Sequence, residues 1–282
     1  MFRNHILKLI ALMITIVLLY STFNLPSAYA KFDKKRMYIT NLVIPAAIAG
    51  FRAHYEGTSI KKAVLQALLG GYIMQEGFKC AAKMEEENTL YAWRTKLMIN
   101  LGASICESAG YDKFKFRMDV GPVWLVTEDR KLKVKLGINS VIAPIIQLAD
   151  GSKFDAKNSL KYGTFVFKRG RHADGTLKGS NALAYSQANL FVTGSDGRHS
   201  GHEMIHTYQY RRNAIYPIQI SNVWPEFTLK YFKPDKWVDD TGWFVNWMLQ
   251  CGWADWRNKN KEFDIPLEQE AYYMEKRHRV IK

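Results

Sequence analysis

Hydrophobic residues recur along the chain with two different periods, first helical and then strand-like. From Ser59 onward Ile60, Val64, Leu65, Leu68, Leu69, Tyr72 and Ile73 return every three or four positions. That spacing predicts an amphipathic helix capped by Ser59. Gly70 and Gly71 weaken its middle and let another backbone come close. After the acidic run Glu85-Glu86-Glu87-Asn88, a second helix carries Leu90, Trp93, Leu97, Met98, Leu101 and Ile105 on one side and stops near Gly110. The economical arrangement of the two is an antiparallel helical hairpin, with Cys80 and Cys106 facing each other near one end. Before it, the apolar stretch from Ile39 to Phe51 is too short to span a bilayer, and Pro45 is expected to break a helix there.

After Tyr111 the period becomes two. Phe114, Phe116, Met118 and Val120 alternate with Lys115, Arg117 and Asp119, which predicts a half-buried strand with the apolar set inward. Val123 to Thr127 continues past Gly121-Pro122. Leu132, Val134, Leu136 and Ile138 then alternate with lysines beyond a Glu128-Asp129-Arg130 turn, so this segment reads as a β-hairpin. Val141 to Leu148, Tyr162 to Phe167 and Ala188 to Thr193 read as further strands, and Arg169 to Ser180 as a loop. Trp224, Trp237, Trp243, Trp247, Trp253 and Trp256 crowd one later stretch and read as core. A last helix begins at Pro266. The sum is an α+β fold in one domain over 31–282. It has a helical N-terminal part (31–110), a mostly antiparallel β-rich part (111–195) and helices again (196–282).

Charge adds a compartment and a class of partner. Arg3, His5 and Lys8 precede an uncharged apolar run from Leu9 to Tyr20, and Ala28-Tyr29-Ala30 supplies small residues for a peptidase. Residues 1–30 therefore read as a signal peptide, sending the protein to the periplasm or outside the cell. Left uncleaved, the same segment would hold it at a membrane. Over 282 residues, 40 Lys+Arg stand against 26 Asp+Glu, a net charge of +14. In an exported protein that balance suits an anionic membrane surface or an acidic envelope polymer, and no specific nucleic acid. The three cysteines, Cys80, Cys106 and Cys251, permit at most one internal disulfide. They exclude a disulfide scaffold and have no Cys-x-x-Cys zinc spacing.

The candidate chemistry lies in His202-Glu203-Met204-Ile205-His206, which follows a polar loop and can be capped by Ser200. On a helix, residues four apart share a face, so His202 and His206 can reach one metal ion. Glu203 is turned about 100° from His202 and can stand beside the metal without ligating it. The short metzincin continuation fails, because Gln209 stands in its Gly place and Arg212 in its His place. A distant Glu on another helix remains, and Leu267-Glu268-Gln269-Glu270-Ala271 offers two.

With these residues the chain resembles the zincin metallopeptidases of the gluzincin type, which pair His-Glu-x-x-His with a downstream helical Glu. The resemblance covers only those two segments. It implies a zincin-like fold, Zn²⁺ as cofactor and a peptide or protein substrate. The ligands would be His202, His206 and Glu268, with Glu270 as the neighbour or replacement of Glu268, and Glu203 would be the general base for a zinc-activated water. Tyr272 stands where many gluzincins place an Asp that orients a ligand. Tyr208, Tyr210, Tyr272, Tyr273 and His278 are candidate oxyanion donors, and the strand Ala188–Thr193 is a candidate edge for an extended substrate. A second reading is a non-catalytic zincin-like envelope protein that binds lipid or glycan through a basic, Trp-rich surface. A third is a structural zinc site closed by His199 or Asp196.

Overall fold

Pro45 does not break the first helix. Residues Ile39–Val43 form a π-turn in which the Ile44 N–H reaches Ile39 O, and α1 (Ile44–Glu56) continues from it with Pro45 in its first turn. A proline ring collides with the carbonyl four residues back in a regular α-helix, and the wider π-turn accommodates it. The computed structural model describes residues 37–81, 83–84, 86–111, 113–128, 130–174, 176–178, 185–187, 190–194, 200–213, 271 and 274.

Helices α2 (Ile60–Ala81) and α3 (Thr89–Ser108) form the predicted hairpin, with Asn88 Oδ1 capping the second by accepting from Tyr91 N. Their buried faces are the reverse of those expected. Ile60, Leu65, Leu69 and Tyr72 are exposed, as are Leu90 and Leu97, while Ala63, Ala67, Gly70, Met74, Gly77 and Phe78 are buried. Close backbone approach explains the reversal. A Cβ on Gly70 would lie 2.6 Å from Gly102 O, and one on Gly102 would lie 2.5 Å from Gly70 O. Large side chains cannot enter such a contact, so they turn outward. The same packing separates the cysteines: Cys106 Sγ meets Ala67 O at 3.3 Å, thirteen helical residues from Cys80, roughly 20 Å along the axis.

Strands β1 (Arg117–Val120), β2 (Val123–Glu128) and β3 (Lys131–Leu136) make an antiparallel meander. The alternation is as read, but its phase is reversed: Arg117 and Asp119 are buried, and Met118 and Val120 are half-buried. The reason is the polar side of α3, where Lys96 Nζ meets Asp119 Oδ2 at 2.6 Å and Glu107 faces Arg117 at 3.7 Å. Val141 to Leu148 is not a strand but lies in α4 (Ile138–Ala149), with Ser140, Ala143 and Gln147 inward at helical spacing. An unbroken apolar run fits either element by period, so its own pattern could not decide.

The chain then forms β4 (Lys153–Phe154), α5 (Ala156–Tyr162), β5 (Phe165–Arg169), β6 (Tyr185–Gln187) and β7 (Leu190–Gly194). Tyr162 thus closes a helix instead of opening a strand. Sheet order is β4-β5-β7-β6, with β5 and β7 parallel and the other pairs antiparallel. Helix α6 (Ser200–Asn213) follows. Among the described residues the fold is α+β, with six helices and two small, mostly antiparallel sheets. Its main core joins Met74 and Phe78 of α2, Ile99 of α3, Phe191 of β7, and Met204, Ile205 and Tyr208 of α6. Ala271 and Met274 belong to the same cluster. No described helix is long and apolar enough to cross a membrane. The predicted signal peptide, the Trp-rich stretch, Cys251 and the start of the last helix at Pro266 lie outside the described residues.

Candidate metal centre

Helix α6 packs against α2 and α3 on one side and against β6 and β7 on the other. Being covered all round, it shows little amphipathic contrast despite its burial. Met204, Ile205 and Tyr208 enter the main core, while His202, His206 and Gln209 fall at positions i, i+4 and i+7 on a neighbouring face. Its last turn is clamped by two buried arginines. Arg211 reaches Glu107 and Asn100 Oδ1, the latter at 3.1 Å, and Arg212 Nη1 donates to Asn41 Oδ1 at 2.9 Å. Cations there also meet the negative end of the helix dipole.

The two imidazoles converge. His202 Nε2 and His206 Nε2 are 3.1 Å apart, with their ring planes at 78°. Tetrahedral zinc with Zn–N of 2.0–2.1 Å requires about 3.3 Å between two nitrogen ligands, so the pair fits one ion. His206 Nδ1 lies 2.7 Å from Gln209 Oε1. An amide oxygen can only accept, so Nδ1 carries the proton and Nε2 keeps its lone pair for a metal. Both rings are 8% exposed and Glu203 is 4% exposed, with the carboxylate in the first turn of the helix. The face therefore holds a preoriented nitrogen pair beside a buried carboxylate, a set suited to a divalent ion of the zinc type.

Gln209 is the residue that motif matching passes over. It registers only as a failure of the metzincin pattern, although its place three residues after His206 on a helix is the signal that would have found it. Gln209→Ala is expected to weaken zinc binding by about 10- to 100-fold through loss of ring orientation. Competition against a chromogenic chelator measures this.

Other expectations separate. Tyr208 is in the core, its hydroxyl 3.7 Å from Met84 Sδ and its ring edge-on to Phe78. Burial pushes its phenol well above the usual range, and it is withdrawn from the oxyanion candidates. Tyr210 is half-buried on the same helix. The strand before α6 is β7, and it is not an edge: β5 pairs one side and β6 the other. With both rows of backbone groups engaged it cannot take up a substrate strand, whereas β6 ends the sheet. Glu268, Glu270, Tyr272, Tyr273, His278, His199 and Asp196 lie outside the described residues. Among the described residues no group of three or more His, Cys, Asp or Glu side chains is placed to hold a metal. Comparison of the chain with protein-family models, curated proteins and solved structures returns no match.

Proposed function

We propose that the protein is an exported zinc-dependent metallopeptidase of zincin-like architecture, with His202, His206 and Glu268 as metal ligands and Glu203 as general base. The observation that carries this reading is the convergent Nε2 pair, with the far nitrogen of His206 held by Gln209. A core helix whose histidines served only packing would have no use for that convergence beside a buried Glu. Glu268 is supported by its neighbour three residues on: Ala271 packs in the cluster that also contains Met204, Ile205 and Tyr208 of α6. On the helical spacing read from the sequence, positions 268 and 271 share a face.

Zinc held there supplies Lewis-acid polarisation of a peptide carbonyl and a water reactive near neutral pH. Glu203, almost closed off from solvent, accepts the proton of the attacking water and delivers it to the departing amine. Strand β6, the sheet's open side, offers backbone groups to an extended substrate. The test is hydrolysis of an unfolded protein substrate by purified enzyme. Cleavage should stop on chelation and return when zinc alone is added back. Cleavage that continues in chelator overturns the proposal.

A further inference from the structure

The stretch from β3 through α4 turns its large aliphatic side chains away from the body. Helix α4 packs through Ser140, Ala143 and Gln147, which are small or polar, while Val141, Ile142, Ile145, Ile146 and Leu148 are exposed. Ile145 is 60% exposed and Leu148 56%. β3, immediately before it, is an outer strand of its sheet and leaves Leu132, Val134 and Leu136 exposed as well, at 52% or more. Isolated apolar residues are ordinary on a protein surface, but consecutive elements inverted in this way mark a contact face.

Charge identifies what the face meets. Between Arg130 and Lys161 the chain carries seven lysines and arginines and only two acids, Asp150 and Asp155. Both acids are engaged within the protein, Asp150 with Arg169 at 3.3 Å and Asp155 with Lys168 at 2.7 Å. What remains is an aliphatic helix flanked by cations, a combination that suits a bilayer surface bearing anionic headgroups. A second copy is disfavoured, since a two-fold contact would set the same basic flank against itself.

We infer that the face centred on α4 docks on an anionic lipid surface, its aliphatic side chains entering the interfacial layer and the neighbouring lysines meeting phosphate headgroups. This docking does not depend on the metal site. It would bring the protein to a membrane without a spanning helix.

Hydrogen exchange on the full chain tests it, because it reports on α4 whatever the N-terminal segment does. Peptides covering 131–149 should exchange more slowly with vesicles of equal parts phosphatidylcholine and phosphatidylglycerol, and not with phosphatidylcholine alone. The double variant Ile142→Asp/Ile145→Asp should lose that protection and still unfold at the wild-type temperature, because both side chains face outward. Lys131→Glu/Lys157→Glu should reduce the preference for phosphatidylglycerol roughly tenfold or more. Protection that is absent, or equal on both vesicles, overturns the inference. So does a lipid-free dimer that the aspartate variant splits, which would assign the face to a second copy. A lowered unfolding temperature in that variant, with unchanged vesicle protection, would instead assign it to another segment of the chain.

Discussion

Glu203→Gln is expected to reduce peptide hydrolysis by about 10²- to 10⁴-fold while zinc content stays at the wild-type level. The substitution keeps the size of the side chain and removes its ability to take a proton. Glu203 follows His202 directly on α6 but is turned away from the ligand face, so zinc affinity has no reason to fall with it. Its burial sharpens the effect, since little bulk water reaches the position to act as a substitute base. Activity measured beside metal content separates the roles. Loss of both would make Glu203 a structural or ligating group, and retention of activity would remove it from the mechanism.

Glu107→Ala is expected to destabilise the fold by about 3–5 kcal/mol, the range for breaking a buried ion pair from one side. Glu107 is 4% exposed and sits between Arg211 of α6 and Arg117 of β1, and its backbone oxygen accepts from Arg52 Nη2 at 2.9 Å. Removing the carboxylate leaves Arg211 and Arg117 buried beside Arg52, whose own pKa burial lowers to about 10. Glu107→Gln should recover part of the loss by keeping a hydrogen-bond acceptor. Arg211 also anchors the last turn of α6, one turn beyond His206, so zinc affinity should weaken in parallel. Urea unfolding of metal-free and zinc-loaded protein measures both effects. Unchanged stability would show that this cluster does not hold the helix.

That cluster also explains which parts of the fold were legible in the sequence. The helical hairpin, the β1–β3 meander and the motif helix all follow from period, and all three are present. What period could not supply was phase. It assumes that large apolar residues face inward, but α2 and α3 meet through Gly70 and Gly102, which leaves no room for Leu65, Leu69 or Leu97 in the contact. β1 is inverted because α3 presents Lys96 and Glu107, so Asp119 and Arg117 turn inward to pair with them. In α4 the small and polar residues pack and the isoleucines do not, and the unbroken apolar run hid its period altogether. Pro45 misled because the π-turn before it is a backbone adjustment that no residue type announces.

The site was legible where its chemistry repeats at helical spacing. His202, Glu203 and His206 could be read from their positions alone, and the structure brings the two imidazoles together. Gln209 could not be read as a partner until its amide oxygen was seen against His206 Nδ1. The edge strand was misassigned because β6 pairs with β7 from the far side, a tertiary contact outside the reach of local pattern.

Elemental analysis of the purified protein and its single-site variants bears most directly on the central claim. The account predicts about one zinc per wild-type chain, lost in His202→Ala and in His206→Ala, and lost or sharply weakened in Glu268→Ala. Zinc retained by Glu268→Ala alone would pass the third position to Glu270 or another donor. A wild-type chain that takes up no zinc, or a His202→Ala chain that keeps it, would contradict the metal centre itself.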